Sequence, residues 1–482
     1  MSRREPAAPL PSSVDRAMGS AETLYWLLDQ LYCLNFVVFA ELQGRLDPLR
    51  LQAALATVQE EQPLLRVRIA PVGGRARFRP VSREAAPLQV QALGLRHWRR
   101  EIEQQLQQRF EPGQAPLARC LWFKGTGRKA VLAMCFHHAI ADGRSGMTVL
   151  LDVLRRATVD GAPPRYRPAR ESSQSLDRIR HKLPVLGALQ GLRFWINKGR
   201  EALQFPQQLP GYDPTARADR RVRTLSHVLP RAVLADLLTR SRQQRTTLHG
   251  ALGAALLLAL NDQFERVAPR SLALNSLADL RGVLDAGLTD QGLGLYVSTL
   301  CTVHAVGSQP DFWALAREIR TALKEIIDAG DANLIHGVYS ASPVLAPGQS
   351  VARLVQVVVA LGPPASMLTN IGRIDDVALG DTLAVQSLAF AVSPPAQHPI
   401  CVTAASYGGR LFVNLLYDEH KLRAAQRYRH RRCPDRPLAG GGRPGLIGDA
   451  QARQRFHADN LVDLMGAGLA PKPRQASRRA AN

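Results

Sequence analysis

The chain has 482 residues and a net charge of +22, with 46% apolar and 21% charged residues. This length predicts more than one lobe, and the composition is typical of a globular protein rather than a disordered one. The positive charge favours an acidic partner or a phosphate-bearing ligand. No aromatic-basic sheet motif accompanies it, so we expect no nucleic-acid partner.

The first 160 residues alternate strands and helices. A short amphipathic helix is predicted at 21–31, a strand at 35–42 and a helix after the N-cap residue Asp47. The apolar stripe of that helix is predicted to comprise Leu49, Leu51, Ala54, Leu55 and Val58. Two more strands and a charged helix follow, and then strands at 117–124 and 130–138 and a helix from Gly146.

Strands and helices return between 219 and 422, so the pattern predicts an α/β fold with two successive lobes. We expect lobes at 1–160 and 219–422, a linker with bridging helices at 161–218 and a basic, disordered or atypical tail at 423–482. Residues 176–203 are basic and amphipathic. They are a candidate for peripheral membrane or apolar-substrate contact, although a helix packed between the lobes is favoured.

Several classes of protein are excluded by absent patterns. The six cysteines lie far apart without a Cys-x-x-Cys pair, which argues against a zinc ribbon or a disulfide framework. The N-terminus lacks an apolar signal-peptide core, and the longest apolar run, 250–260, is too short to span a bilayer. We therefore expect a cytoplasmic protein.

The stretch CFHHAIADGRSG, residues 135–146, carries the chemistry. Adjacent strand residues point to opposite faces, so His137 and His138 do not suit one metal ion, and we expect no metal site. Ser145 lies in G-R-S-G rather than G-x-S-x-G, which argues against a serine hydrolase. We expect one histidine to act as a general base and its neighbour to support it. Asp142 and Gly143 are expected to form the tight turn into the next helix, with Gly143 allowing the bend.

These residues resemble the HHxxxDG signature of the condensation-domain and chloramphenicol-acetyltransferase-like superfamily. The resemblance extends over about 20–422 and includes QPLLR at 62–66, where Gln62 replaces the usual histidine, the D-L-R segment ending at Arg281, and the T-N-I-G segment with Asn370. No D-F-G-W-G segment is present, which argues against the plant BAHD acyltransferases. The subgroup it resembles contains free-standing polyketide-associated acyltransferases, similar to phthiocerol dimycocerosyl transferases, and alcohol acetyltransferases.

The resemblance implies two chloramphenicol-acetyltransferase-like lobes that form a pseudodimer with a central tunnel. His138 would be the catalytic base, with His137, Asp142, Gly143 and Arg281 supporting the site through an Asp142–Arg281 pair. Arg144, Ser145 and Asn370 are candidate contacts to the donor or the tunnel; for Arg144 a solvated loop position is the favoured alternative. No resident cofactor is expected. The co-substrate would be an acyl-CoA or a phosphopantetheinyl thioester on an acyl-carrier protein.

The acceptor class stays open at this point. Transfer to an alcohol is favoured over amide formation with an amine, and both are favoured over a non-catalytic module that binds carrier proteins. The motif itself does not distinguish a hydroxyl from an amine. An altered tail at 423–482 would leave the second lobe incomplete.

Overall fold

The structure is a computed structural model that describes most of the chain. It covers 13–163 (except 74 and 112), 175–176, 192, 195–197, 199–201, 203–214, 219–264, 269–282, 292–307, 310–332 and 364–422 (except 381). Three parts of the chain for which the sequence makes a prediction lie outside these residues: a strand-like run at 351–360, most of the linker with bridging helices at 161–218, and the tail at 423–482.

Seven α-helices can be given bounds within the described residues. They are α1 Ser20–Tyr32, α2 Pro48–Glu61, α3 Trp98–Gln105, α4 Gly143–Thr158, α5 Arg231–Gln243, α6 Leu248–Asn261 and α7 Phe312–Asp328. The N-cap predicted at Asp47 is present, since its side chain accepts backbone N–H groups at the start of α2, and Asp311 caps α7 in the same way.

Fourteen strands lie in the same residues. They are β1 Arg16–Ala17, β2 Asn35–Gly44, β3 Val67–Val72, β4 Arg75–Pro80, β5 Val90–Gly94, β6 Ala118–Lys124, β7 Lys129–His137, β8 Val222–Leu229, β9 Arg270–Asp279, β10 Val297–Val306, β11 Ala365–Arg373, β12 Leu383–Val392, β13 Cys401–Tyr407 and β14 Arg410–Asp418. β1, β4 and β3 form a small sheet of their own.

The first large sheet has the order β12-β2-β7-β6-β5. β2 and β7 pair antiparallel over their whole length, which places Asn35 opposite His137. Helix α4 packs on this pair. The approach is closest at Gly146, where a Cβ atom would lie 2.8 Å from the ring of Phe36. The start of α4 is therefore held tightly against the sheet that carries the two histidines.

The second large sheet has the order β10-β9-β11-β13-β14-β8. Its β13–β14 hairpin turns at Gly408 and Gly409, whose φ angles of 55° and 74° lie in the left-handed region. Helices α6 and α7 pack together, and both pack on this sheet. The apolar residues on one of its faces form a second core with these helices, whereas Met367, Cys401, Ala405, Phe412 and Leu416 belong to the core of the first sheet.

One strand crosses between the two halves of the chain. β12, from the late part of the sequence, pairs antiparallel with β2 at the edge of the first sheet. Its Leu388 and Phe390 are buried in the core that the first half builds. The lobe predicted at 219–422 thus contributes a strand to the other sheet, while the domain boundaries themselves stay predictions.

The alternation of strands and helices agrees with the predicted α/β fold, but one apolar position was wrong. Leu49, predicted in the buried stripe of α2, is 81% exposed, whereas Leu51, Ala54, Leu55 and Val58 are buried. At 100° per residue these four cluster on one side of the helix, and Leu49 projects nearly opposite to them. The predicted apolar stripe of α2 therefore included one residue too many, Leu49.

Candidate functional site

The HHxxxDG stretch forms a buried loop between β7 and α4. His137 is the last residue of β7, and Asp142 is the N-cap of α4, where its carboxylate accepts the Ser145 N–H at 2.8 Å. Between them the backbone turns back on itself, with the Ile140 N–H donating to the carbonyl of His137. The loop thus positions its histidines and its aspartate from two rigid elements.

His138 is a buried and neutral imidazole. Its Nδ1 lies 2.9 Å from the carbonyl oxygen of Ala141. Because a carbonyl only accepts, Nδ1 must carry the proton, which leaves Nε2 as the unprotonated nitrogen. The rings of Tyr25 and Phe36 pack at 4.4 and 5.0 Å between centroids. Burial lowers the pKa of His138 to about 4, although its hydrogen bonding to the backbone and nearby Asp142 oppose the shift.

His137 has different surroundings. Its Nδ1 accepts the Ala139 N–H at 3.0 Å, and its Nε2 lies 3.6 Å from a carboxylate oxygen of Asp29. Asp29 is itself held by the backbone N–H of Leu34. Burial lowers the pKa of His137, although the Asp29 carboxylate opposes this. Within the described part of the chain, no cluster of three metal-ligating side chains is present.

Asp142 is fully buried, and its carboxylate is surrounded by donors. The Arg281 guanidinium reaches both oxygens at 3.0 and 3.1 Å, and the Tyr296 N–H donates at 2.9 Å. Arg281 also pairs with Asp279 and stacks over the ring of Tyr296. Burial alone would lower the pKa of Arg281, but the carboxylates of Asp142 and Asp279 raise it. The pair therefore joins the HHxxxDG loop to the end of β9.

The segment before β10 is joined to the first half by three further hydrogen bonds. The Ser145 hydroxyl and the Asp142 N–H both donate to the Gly294 carbonyl, at 2.9 and 3.0 Å. The Gln62 side chain accepts the Leu293 N–H at 2.8 Å. Sequence reasoning missed Asp29 and the partners Leu293 to Tyr296. Gln62 could be recognised from the sequence, because it replaces the usual histidine at the start of the QPLLR segment.

The three remaining residues predicted to contact the donor or the tunnel, Arg144, Ser145 and Asn370, differ in exposure and in contacts. Arg144 is half-exposed and donates to Asp279 at 3.1 Å. The hydroxyl of Ser145 is buried in the contacts just described. Asn370 lies at a β-bulge of β11, where its side-chain oxygen accepts the Gly372 N–H at 2.9 Å. Of these three side chains, Arg144 is therefore the one that presents a charged group to solvent.

Gly143 is closely packed against two neighbouring strands. It is the first residue of α4, and it is not among the residues whose φ is positive. A Cβ atom there would lie 3.3 Å from the ring of Phe390 and 3.4 Å from Ile371. The glycine thus allows a close approach of β12 and β11 to the loop, and its part in the turn stays a prediction.

Comparisons with known proteins agree with this architecture. Residues 26–339 match the family model described as the condensation domain. A linear gramicidin synthase from Brevibacillus parabrevis is 27% identical over 348 residues, which cover 64% of this chain. The chain spans only 6% of that relative's length.

Two solved structures show the fold. Trichothecene 15-O-acetyltransferase from Fusarium sporotrichioides has a TM-score of 0.69 at 11% identity, covering 97% of this chain and 100% of the other. The starter condensation domain of rhizomide synthetase, solved as a mutant with C8-CoA and Leu-SNAC, has a TM-score of 0.61 at 16% identity, with 95% and 96% coverage. The predicted α/β fold is thereby confirmed. Among the described helices, none is long and apolar enough to cross a membrane.

Proposed function

The chain belongs to the condensation-domain family, and from that premise we propose that it is an acyltransferase moving an acyl group from a thioester to a hydroxyl acceptor. The donor is an acyl-CoA or a phosphopantetheinyl thioester on an acyl-carrier protein, and no cofactor is resident. The related fold solved with C8-CoA and the related O-acetyltransferase support this choice of donor and acceptor chemistry.

The observation that carries the proposal is the state of His138. The Ala141 carbonyl holds the proton on Nδ1, and burial keeps the ring neutral, so Nε2 is able to accept a proton at neutral pH. In the proposed reaction the hydroxyl oxygen attacks the thioester carbonyl and Nε2 takes the hydroxyl proton. The new C–O bond forms, the C–S bond breaks, and the proton passes from Nε2 to the departing thiolate.

The other motif residues are proposed to position His138 rather than to touch substrate. His137 holds the Ala139 N–H, and the Asp142–Arg281 pair fixes the end of the loop, whose Ala141 carbonyl orients the ring of His138. Ser145 and Gly143 belong with this group because their contacts lie within the protein. We further propose the two lobes at 1–160 and 219–422, joined by 161–218, with a substrate tunnel between them.

Arg144 stays a candidate donor contact. Its guanidinium pairs with Asp279 at the surface, in a half-exposed geometry that contributes little stability. A phosphate of the donor arm would replace that carboxylate at small cost. For Asn370 the contact to Gly372 fixes the side chain beside the bulge, and a role in the tunnel stays a prediction.

Amide formation with an amine acceptor is the second candidate. The observation that favours it is the 27% identity to a linear gramicidin synthase. The chemistry at His138 would be the same, since an amine also loses a proton as it attacks a thioester.

The test is the release of free thiol from acyl-CoAs and acyl-carrier proteins, offered with separate pools of alcohols and amines. We expect release that depends on an alcohol and is lost in His138→Ala. His249→Gln is the matched control, because burial also lowers the pKa of this imidazole to about 4 but it contacts Ser276 in the other half. Release that depends only on amines would establish the second candidate. No release by folded wild-type protein, with binding of carrier protein, would indicate a non-catalytic module.

A further inference from the structure

Exposed apolar side chains are concentrated in one short segment. The described residues expose nine large apolar side chains, and five of them lie between 192 and 205. They are Leu192, Trp195, Ile196, Leu203 and Phe205. Leu203 is 71% exposed and Trp195 is 49% exposed. Such a patch on a protein surface indicates a contact with a partner or a lipid surface.

The described residues from 192 to 203 are helical, and four of their apolar side chains share a face. Residues 192, 195–197, 199–201 and 203 have helical backbone. At 100° per residue Leu192, Trp195, Ile196 and Leu203 fall within about 100° of arc. We name these four side chains the apolar stripe.

The opposite face attaches the segment to the protein. Asn197 and Glu201 project away from the apolar stripe, and both are half-buried. The Asn197 side chain donates to a carboxylate oxygen of Asp331, three residues after α7, at 3.1 Å. The stripe therefore faces outward because the polar side of the same helix is the anchored one.

Charge decides which partner fits. The sequence of this segment holds Arg193, Lys198 and Arg200 against a single acidic residue, Glu201, and Arg200 is exposed. The net charge of +22 opposes the close approach of a second copy of the chain and favours an anionic surface. A tryptophan with aliphatic neighbours and basic residues is the composition that lies at the boundary between headgroups and acyl chains.

We propose that the apolar stripe, with Arg200 beside it, binds the surface of an anionic lipid membrane. The stripe enters the boundary between headgroups and acyl chains, and the basic residues pair with lipid phosphates. This inference is independent of the acyl-transfer chemistry, since it concerns a face that His138 does not share.

The test is co-sedimentation of the full chain with phosphatidylcholine vesicles that contain or lack phosphatidylglycerol. We expect binding to the anionic vesicles. Trp195→Gln/Ile196→Gln/Leu203→Gln should lower the partition coefficient at least about tenfold. Arg200→Gln should lower it about fivefold, because one basic residue near such a surface contributes about that factor. Leu49→Gln/Val228→Gln is the matched control, since it also replaces exposed apolar residues, and it should bind like wild type.

Two results would overturn the proposal. Equal binding by the triple variant and wild type would mean that general positive charge, not the stripe, holds the protein to lipid. Absence of wild-type binding to anionic vesicles would exclude a lipid surface. If sedimentation equilibrium then shows a wild-type dimer that the triple variant lacks, the stripe is a protein–protein contact.

Discussion

The HHxxxDG loop and the segment at 192–205 both depart from the usual placement of polar side chains at the surface and apolar side chains in the interior, but in opposite ways. The loop buries two histidines and an aspartate, and the segment exposes a tryptophan, a phenylalanine and aliphatic side chains. Buried charged groups and exposed apolar patches are both uncommon, and both are informative where they occur. In the loop His137, His138 and Asp142 each have at least one polar partner within the protein. In the segment the polar face is anchored and the apolar face is exposed.

This contrast separates two kinds of function. Burial lowers the local dielectric constant around His138, and the contact with the Ala141 carbonyl fixes the orientation of the ring. Both suit a group proposed to accept a proton at one atom, Nε2. Exposure allows the apolar stripe to contact the lipid membrane proposed as its partner. Substitutions in the loop should therefore strongly lower the reaction rate or the free energy of unfolding. Substitutions of exposed apolar residues in the segment should leave the free energy of unfolding almost unchanged.

The largest expected effect is on the rate after loss of the general base. His138→Ala should lower kcat about 10²- to 10⁴-fold, because proton transfer from the acceptor loses its positioned partner. Steady-state thiol release at saturating donor measures this. A His138→Ala protein that keeps wild-type kcat would exclude His138 as the base, whichever acceptor is used.

The next largest effect concerns the stability of the loop. Asp142→Asn and Arg281→Met should each lower the free energy of unfolding by about 3–5 kcal/mol, because the first leaves the buried Arg281 with Asp279 alone and the second leaves the buried Asp142 carboxylate without a counter-charge. The double variant should be destabilised by clearly less than the sum. Urea unfolding of the four proteins measures the coupling. Strict additivity would show that the pair does not act as a unit.

A third effect is the dependence of stability on pH. Burial lowers the pKa of His138 to about 4 in the folded protein, while the unfolded chain titrates near about 6.5. The unfolded state therefore binds the extra proton first, so stability is lost as the pH falls from about 6.5 to about 4.

In that window His138→Gln should reduce the slope of the unfolding free energy by about 1.4 kcal/mol per pH unit, which corresponds to one proton. His249 and His398, whose pKa values burial also lowers to about 4, should keep part of the slope in the variant. An unchanged slope in His138→Gln would mean that the ring is already protonated in the folded protein.

A smaller effect is expected at the contact between α4 and β2. Gly146→Ala should cost about 1–3 kcal/mol, since its Cβ would lie 2.8 Å from Phe36, which packs on the His138 ring. Gly127→Ala is the matched control, because a Cβ there meets nothing within 4 Å. Thermal unfolding of both variants measures the difference, and equal Tm values would contradict the close packing.

The smallest effect should be in the segment. Leu192→Gln and Leu203→Gln should change the free energy of unfolding by no more than about 0.5 kcal/mol, because both side chains are exposed. Leu55→Ala, in the buried stripe of α2, should cost about 2–5 kcal/mol in the same urea experiment. A large loss of unfolding free energy in Leu192→Gln or Leu203→Gln would show that the apolar stripe at 192–203 is covered in the folded protein.

The sequence predicted the local features well because they depend on short-range patterns. Helix α2 begins after its predicted cap Asp47, and β2, β6 and β7 lie close to the bounds that the apolar runs predict. The family resemblance also predicted which residues lie near His138. The structure brings His137, His138, Asp142, Gly143 and Arg281 to one place, with Ser145 beside them, while their roles in catalysis stay proposals.

What the sequence alone determined is the set of elements, the α/β class and the family that the HHxxxDG stretch indicates, since these depend on spacing along the chain. Only the tertiary structure decided the partners. Asp29 lies beside His137, Gln62 reaches Leu293, and β12 leaves its own half to pair with β2. Each of these contacts joins residues more than 100 positions apart, and no local periodicity encodes them. The outward direction of the apolar stripe likewise goes with a long-range contact, the hydrogen bond from Asn197 to Asp331.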